Sequence, residues 1–209
     1  MSILAESGSG ALRLDQRKAL LRASVLTERD GLPVPVRKER SRAIVATIAA
    51  LPDFAGATRV LLTSSFGSEV ETGELIAHSL ADGKTLFLPL VNKESRMLEL
   101  YEVSEPEAQL ARGTYGIAEP RRERCRRAAY AEVEWVLVPG VVYADDGFRI
   151  GYGGGYYDRL LPLLPSAASR VSAAFGFQRR PELPHGVHDQ KIQIVVTESV
   201  VYHVGSSEA

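Results

Sequence analysis

The sequence has little of what secreted and membrane proteins require. Its 209 residues include a single cysteine, which excludes an internal disulfide framework. No apolar run approaches the roughly 20 residues needed to span a bilayer. The N-terminus "MSILAESGSG" lacks the positive start and apolar stretch of a secretion signal. These absences predict a cytoplasmic protein without a membrane partner, with residues 1–11 as a disordered tail.

An excess of charge of either sign is also missing. The 25 basic and 26 acidic residues leave a net charge of -1, so no overall field would recruit nucleic acid. The arginine-rich stretch "RRERCRR" at 121–127 lacks the interleaved aromatic residues of a nucleic-acid site. We therefore interpret it as a solvated segment, and we expect any anionic ligand to be bound by a local cluster of cations.

What the chain does contain is an alternation of helical and strand patterns. Helical spacing of apolar residues predicts helices at 12–29, 36–51, 73–83 and 156–164, the third of them capped by Thr72. Short apolar runs predict strands at 59–66, 85–91, 96–103, 134–143, 170–177 and 192–202. The order favours a three-layer α/β/α fold, Rossmann-like, with about six or more mainly parallel strands and helices on both faces. One domain would span 12–203, with a tail at 204–209.

A glycine-rich loop stands out at 149–161, "RIGYGGGYYDRLL". Glycine has no Cβ, so Gly151, Gly153, Gly154 and Gly155 can take positive φ and let backbone N–H groups approach a ligand. If a helix begins at Tyr156, these groups and the helix dipole would favour a phosphate. Neither the Walker pattern nor a Rossmann fingerprint is present. A flexible turn explains the glycines equally well, so the residues alone leave both interpretations open.

A longer stretch around this loop resembles a known signature. "LVPGVVYADDGFRIGYGGGYYDRLL" is similar to that of the 5-formyltetrahydrofolate cyclo-ligases, also called 5,10-methenyltetrahydrofolate synthetases. Other landmarks of this family follow in order: "KALLR", "EVET", "GKTLFLPLV", "YGIAEP", "FGFQRR", "LPHGVHD" and "VVTE". The resemblance covers about residues 12–200. It implies ATP- and Mg²⁺-dependent conversion of 5-formyltetrahydrofolate to 5,10-methenyltetrahydrofolate through a phosphorylated formyl (iminium phosphate) intermediate, with release of ADP and phosphate.

The resemblance also implies roles for individual residues. The expected catalytic residues are Arg149 and Tyr156. The expected ATP contacts are Lys18, Arg22, Arg149, Ile150, Gly151, Tyr152, Gly153, Gly154, Gly155, Tyr156 and Tyr157. The expected folate contacts are Ser64, Glu69, Tyr152, Gly153, Gly154, Gly155 and Tyr156. The expected Mg²⁺ ligands are Asp158 and Asp189.

The basic and acidic members of this set each have a structural alternative. Lys18 and Arg22 lie one helical turn apart and could form a solvated basic face instead of a phosphate site. Arg149 could clamp phosphate oxygens or pair with Asp145 or Asp146. Asp158 could cap its helix or pair with Arg159. Asp189 could belong to an ordinary surface loop, so its assignment depends on the resemblance.

The folate contacts and the departures from the family pattern leave further alternatives. Glu69 can accept N–H bonds from a pterin, but a slip in the loop would put Glu71 in its place. Tyr156 could stack on an aromatic ligand or pack in the core. Many family members carry lysine at Gly154, and Gly186 and Gln193 stand where acidic residues are common. Whether the substrate carries a polyglutamate tail stays open, as does a minor role of 121–127 in attracting one.

Two other functions compete with the cyclo-ligase. A non-catalytic regulatory module could bind folate or nucleotide in the same pocket. An isomerase or acyl-transfer enzyme could share the sheet, because a fold does not determine a function. We expect a monomer acting on a small-molecule substrate.

Overall fold

The computed structural model describes residues 12–113 and 117–205. The predicted tail at 1–11, the last four residues and Tyr115 and Gly116 of the "YGIAEP" motif lie outside the described residues. The helices are α1 (Leu14–Asp30), α2 (Val34–Ala49), α3 (Pro52–Gly56), α4 (Gly73–Ala81), α5 (Pro106–Gln109) and α6 (Tyr156–Leu160). No helix in these described ranges is long and apolar enough to cross a bilayer.

The strands form a large central sheet and two small ones. They are β1 (Arg59–Leu61), β2 (Thr85–Asn92), β3 (Met97–Glu102), β4 (Leu110–Arg112), β5 (Ala118–Pro120), β6 (Arg127–Ala128), β7 (Trp135–Leu137), β8 (Val142–Ala144), β9 (Arg149–Ile150), β10 (Ser169–Ala173), β11 (Arg179–Arg180), β12 (Ile194–Val196) and β13 (Val201–His203). The central sheet has the order β13-β12-β10-β7-β1-β2-β3-β6. Its five middle strands, β12 to β2, are parallel, and the outer pairs are antiparallel.

Both faces of the central sheet are covered, as its side-chain alternation requires. In β1, Val60 packs with the core cluster under α2, α3 and α4, while Leu61 points to the opposite face. That opposite face is covered by α6 and the following 3₁₀ turn through Leu160 and Leu161. Strands buried on both faces are expected to be continuously apolar. The prediction of a three-layer α/β/α fold with a mainly parallel sheet is confirmed.

Two segments predicted as single strands are each divided in the structure. The first, 134–143, breaks at Pro139 and Gly140: β7 joins the central sheet, and β8 joins the three-stranded sheet β11-β8-β9. Proline lacks the N–H that would continue a ladder, and a Cβ on Gly140 would lie 2.9 Å from the Tyr143 ring. The second, 192–202, turns after Val196 so that β12 and β13 pair antiparallel. Both single-strand predictions were wrong.

Thr72 sits at the predicted cap position of α4, but its side chain serves a different purpose. Its hydroxyl donates to the Thr63 carbonyl at 2.6 Å and accepts from the Ser65 N–H at 3.0 Å, and it makes no capping bond. Thr72 thus fixes the loop that leaves β1.

The arginine-rich segment at 121–127 is exposed but tied to the edge of the sheet. Arg122 and Arg127 approach the Glu99 carboxylate at 3.0 and 3.4 Å, and Arg126 pairs with Glu102 at 2.6 Å. Glu99 itself is buried in β3. A hydrogen bond from Asn92 is the largest influence holding the pKa of Glu99 below its usual value, against the effect of burial. These ion pairs therefore fasten the arginine-rich segment to β3 of the central sheet.

We expect Glu99→Gln to destabilise the fold by about 1–2 kcal/mol at neutral pH, because it leaves a buried site without the charge that its two arginines face. Urea unfolding measures the loss. The control is Glu74→Gln, whose ion pair with Arg42 spans 3.3 Å between exposed side chains and should contribute no more than about 0.5 kcal/mol.

The same pair of variants gives a pH test. The pKa of Glu99 is lowered in the folded chain. The ionised carboxylate therefore stabilises the fold at pH values above the pKa of the unfolded state, and this stabilisation is lost as the pH falls through the folded pKa. The stability gap between the wild type and Glu99→Gln should therefore narrow below about pH 4. Equal losses of unfolding free energy for Glu99→Gln and Glu74→Gln at neutral pH would contradict this role of Glu99.

Candidate active site

A cavity of about 570 Å³ opens at the carboxyl ends of β1 and β7, the edge at which parallel sheets commonly bind ligands. Its size suits a nucleotide or another organic ligand. Every residue predicted for the site lines it: Lys18, Arg22, Ser64, Glu69, Arg149, Ile150, Gly151, Tyr152, Gly153, Gly154, Gly155, Tyr156, Tyr157, Asp158 and Asp189. The fold thus gathers residues from four distant parts of the chain into one cavity.

The glycine-rich loop forms one wall and adopts backbone angles that require glycine. Gly153 has φ of 101° and Gly155 has φ of 66°, the latter immediately before α6 begins at Tyr156. The loop starts from β9, where Ile150 is buried against the third core cluster. Because α6 has only five residues, its dipole is small. Any anion contact at this wall would rest on the backbone N–H groups of the loop.

Arg149 is the most deeply buried cation of the cavity, with 3% of its side chain exposed. Its Nη1 donates to Asp158 Oδ1 at 3.1 Å and to the Gln190 carbonyl at 2.8 Å. Its Nε has no partner among the described residues. The alternative of a bridge from Arg149 to Asp145 or Asp146 is wrong. The alternative of an ion pair between Asp158 and Arg159 is wrong as well, because Asp158 pairs with Arg149.

The two predicted cations of α1 are both fixed by other parts of the cavity. Lys18 Nζ contacts Asp189 Oδ2 at 2.5 Å, and Arg22 Nε donates to the Gly151 carbonyl at 2.6 Å. Burial alone would raise the pKa of Asp189, but hydrogen bonds from Lys18 and the Gly186 N–H outweigh it and lower that pKa. These contacts rule out an ordinary surface loop for Asp189 and a purely solvated basic face for Lys18 and Arg22.

The two predicted metal ligands, Asp158 and Asp189, are among the five carboxylates that line the cavity. Within 12–113 and 117–205, no group of three or more histidine, cysteine or acidic residues could hold an ion. Mg²⁺ needs no such cage, since it binds through one or two carboxylates together with phosphate oxygens and water. Asp158 and Asp189 therefore fit a Mg²⁺ that arrives with a phosphate ligand, and they do not fit an independent metal centre.

Glu69 lies in the cavity, whereas Glu71 does not. Glu69 Oε1 accepts from the Tyr152 hydroxyl at 2.7 Å, and Oε2 accepts from the Phe66 N–H at 3.1 Å. Glu71 instead faces Arg37 at 3.5 Å on α2. Burial raises the pKa of Glu69, opposed by Tyr152, the Phe66 N–H and the charge of Arg29. The structure favours Glu69 over Glu71 as the ligand-facing carboxylate.

Gly154 leaves room for the ring of Tyr156. A Cβ on Gly154 would lie 2.8 Å from two carbons of the Tyr156 ring, and the Arg159 guanidinium lies over the same ring, 5.2 Å from its centroid. A side chain at 154 would therefore force the ring to move. The adjacent Tyr157 has a buried hydroxyl with no partner in the described chain, and burial raises its pKa.

The sequence analysis missed several residues that line the cavity or support it. Ile117, Ala118 and Glu119, at the β5 side of the β4–β5 pair, form another part of its wall. They belong to the "YGIAEP" landmark, but no role in the site was predicted for them. Arg29 was also missed, although its spacing from Arg22 is two helical turns and so places it on the same face of α1. It contacts the Tyr152 hydroxyl at 2.6 Å.

Comparison with known proteins places this arrangement in context. Residues 14–198 match the model of the 5-formyltetrahydrofolate cyclo-ligase family. The NMR structure of the Aquifex aeolicus 5,10-methenyltetrahydrofolate synthetase superposes with a TM-score of 0.79 at 32% identity, covering 92% of this chain and 95% of that one. A probable 5-formyltetrahydrofolate cyclo-ligase of Schizosaccharomyces pombe is 29% identical over 208 residues, covering 93% of this chain and 100% of that protein. The Mus musculus 5-formyltetrahydrofolate cyclo-ligase is 26% identical over 196 residues, covering 90% and 97%.

The conformation of the glycine-rich loop gives a stability prediction. Gly153→Ala should destabilise the fold by about 1–3 kcal/mol, since a residue with a Cβ is strained at φ of 101°. Gly151→Ala is the matched control: its φ is outside the left-handed range, and an added Cβ would meet no atom within 4 Å. Thermal and urea unfolding measure both variants. If the two alanines cost the same, the loop does not hold the conformation described.

Proposed function

The chain belongs to the 5-formyltetrahydrofolate cyclo-ligase family, a family of ligases, and we propose that it converts 5-formyltetrahydrofolate to 5,10-methenyltetrahydrofolate with ATP and Mg²⁺. The observation that carries this proposal is the buried Arg149 beside the glycine-rich loop, in the same cavity as Glu69. One cavity thus offers a cationic set for phosphates and a carboxylate acceptor for a pterin. ADP and phosphate would be the other products.

The chemistry asks the protein to neutralise and align charge. The formyl oxygen is a poor leaving group, so it first attacks the γ-phosphorus, and ADP departs. In the iminium phosphate that results, nitrogen 10 of the folate attacks the activated carbon and loses its proton, and phosphate leaves with the electron pair of the C–O bond. Such a sequence needs positioned cations and donors more than a protein nucleophile.

The proposed roles of the residues follow from where they lie. Arg149 lines the cavity and can direct its guanidinium toward a phosphate oxygen, because Asp158 and the Gln190 carbonyl already fix Nη1. Lys18 and Arg22 place two further cations at the cavity. The N–H groups from Gly151 to Gly155 can donate to phosphate. Asp158 and Asp189 would hold Mg²⁺, which supplies charge neutralisation on the phosphates when bound.

Folate recognition is proposed for the other set of side chains. Glu69 offers an ionisable carboxylate to the N–H edge of a pterin, with Ser64 beside it on the loop after β1. Tyr156 offers a ring that can stack on the ligand, and Tyr152 offers its hydroxyl. We further propose a monomer that acts in the cytoplasm, since the single cysteine fits a reducing compartment.

Turnover of Arg149 variants tests the proposed function directly. With 5-formyltetrahydrofolate, ATP and Mg²⁺, the wild type should produce methenyl absorbance, and Arg149→Met should lower kcat by about 100-fold or more, because phosphoryl transfer loses a preorganised cation. Arg42→Met, an exposed residue of α2, is the control and should behave as the wild type. A folded wild type that binds folate without forming ADP would instead indicate the non-catalytic module.

Metal dependence tests the two carboxylates. Chelation of Mg²⁺ should abolish turnover, and added Mg²⁺ should restore it. Asp158→Asn and Asp189→Asn should each raise the Mg²⁺ concentration needed for half-maximal rate by about tenfold, as expected when a hard cation loses an anionic ligand. Asp82→Asn, an exposed aspartate that pairs with His78, serves as the control. Unchanged Mg²⁺ dependence in the doubly substituted variant would remove the proposed metal site.

A further inference from the structure

Arg29, near the C-terminal end of α1, is a buried cation that makes no ion pair with a described residue. Only 3% of it is exposed. Its Nε donates to the Ser68 hydroxyl at 3.0 Å, and its Nη2 donates to the Tyr152 hydroxyl at 2.6 Å. Buried arginines are ordinarily paired with carboxylates. The partners of this one are both neutral hydroxyls, so its charge has to be balanced through them.

Each of these two hydroxyls in turn donates a hydrogen bond to a carboxylate. Ser68 donates to Asp30, and Tyr152 donates to Glu69 at 2.7 Å. Arginine has only donors, so the oxygen of Tyr152 must accept from Arg29, and its hydrogen must point to Glu69. The direction of the chain from Arg29 through Tyr152 to Glu69 is therefore fixed by the guanidinium.

The contact matters because the Tyr152 ring has little else to hold it. The residue is 39% exposed, and its ring meets Phe66 at 5.0 Å between centroids. Its hydroxyl, held between Arg29 and Glu69, is the anchored end of the side chain. If Arg29 were lost, both the orientation of Tyr152 and its bond to Glu69 would loosen.

The charge state of Glu69 depends on the groups around it. Arg29 faces it from α1, Tyr152 from the glycine-rich loop, Tyr157 from α6 and Tyr143 from β8. Burial raises the pKa of Glu69, and the bonds from Tyr152 and the Phe66 N–H, together with the charge of Arg29, oppose that rise. Arg29 is the cation of this group and acts on Glu69 both directly and through Tyr152.

We propose that Arg29 is a positioning residue for substrate binding: through Tyr152 it holds Glu69 as an oriented acceptor at the cavity. This inference rests on the proposed function for the identity of the ligand at Glu69. The helix α1 then contributes to the binding of both ligands. Lys18 and Arg22 are the proposed nucleotide contacts, and Arg29 acts on the proposed folate contact Glu69.

The kinetic test compares Arg29→Met with Arg29→Lys. In Arg29→Met the KM for 5-formyltetrahydrofolate should rise by about tenfold, while kcat and the KM for ATP change by no more than about threefold. Because loss of the cation raises the pKa of Glu69, the acid limb of kcat/KM should move to higher pH, by about one unit. Arg29→Lys keeps the charge and should restore the acid limb, with only partial recovery of KM.

Two comparisons separate positioning from a merely structural role. Arg37→Met removes another largely buried arginine, which faces Glu71 away from the cavity, and should leave the acid limb and both KM values unchanged. Tyr152→Phe combined with Arg29→Met should raise the folate KM no further than the larger single effect, because both interrupt one chain. A folded Arg29→Met with wild-type folate KM and wild-type acid limb would overturn the proposal, as would parallel losses for both substrates.

A readout independent of turnover distinguishes this proposal from the proposed function. The ¹³C carboxyl resonance of Glu69, assigned by its absence in Glu69→Gln, should titrate at higher pH in Arg29→Met than in the wild type, and near the wild-type value in Arg29→Lys. If the wild type shows no turnover but this shift is seen, the proposed reaction is wrong and the Arg29 arrangement stands. Identical titrations in all three proteins would refute the arrangement, whatever the activity.

Discussion

The site depends on how one buried positive charge is held. Arg149 comes from β9, its carboxylate partner Asp158 from α6 and its carbonyl partner Gln190 from the loop before β12. A guanidinium with 3% of its side chain exposed is stable only where its donors are met. That requirement joins three segments around the cavity, while Nε stays buried without a partner among the described residues.

The two cations of α1 that line the cavity are also held by other segments of the chain. Lys18 meets Asp189 next to Gln190, and Arg22 meets the Gly151 carbonyl next to the loop glycines. Lys18 and Arg22 are thus each secured by a segment that they also help to position. Because the cations are placed before any ligand binds, little reorganisation is needed when a phosphate arrives, which is the condition under which electrostatic stabilisation is most effective.

Arg29 links this helix to the second set of side chains in the cavity. Its chain through Tyr152 to Glu69 joins the glycine-rich loop to the loop that leaves β1. A change at the proposed nucleotide contacts and a change at the proposed folate contacts would therefore meet at Tyr152, which belongs to both sets. Val25 of α1 is fully buried in the core. The helix therefore provides a common frame for the two sets of side chains.

Much of this could be predicted from the sequence, for identifiable reasons. Periodicity located α1 and α2 to within about two residues, since an amphipathic helix is encoded in the sequence itself. The paired strands of 134–143 and 192–202 could not be separated, because an apolar run does not reveal which sheet each half will join. Likewise the resemblance implied roles for both Asp158 and Arg149, but the pairing of these two residues was not predicted.

By itself, the sequence determined the alternation of elements, the glycines that permit positive φ and the set of candidate side chains. The tertiary structure decided which of these meet: Glu69 and not Glu71, Arg149 with Asp158 and not with Asp145, and Arg29 with Tyr152 across 123 positions of the chain. The physical reason is that burial and hydrogen-bond partners belong to the packed chain. The sequence gives the type of side chain at each position, but segments far along the chain supply its burial and its hydrogen-bond partners.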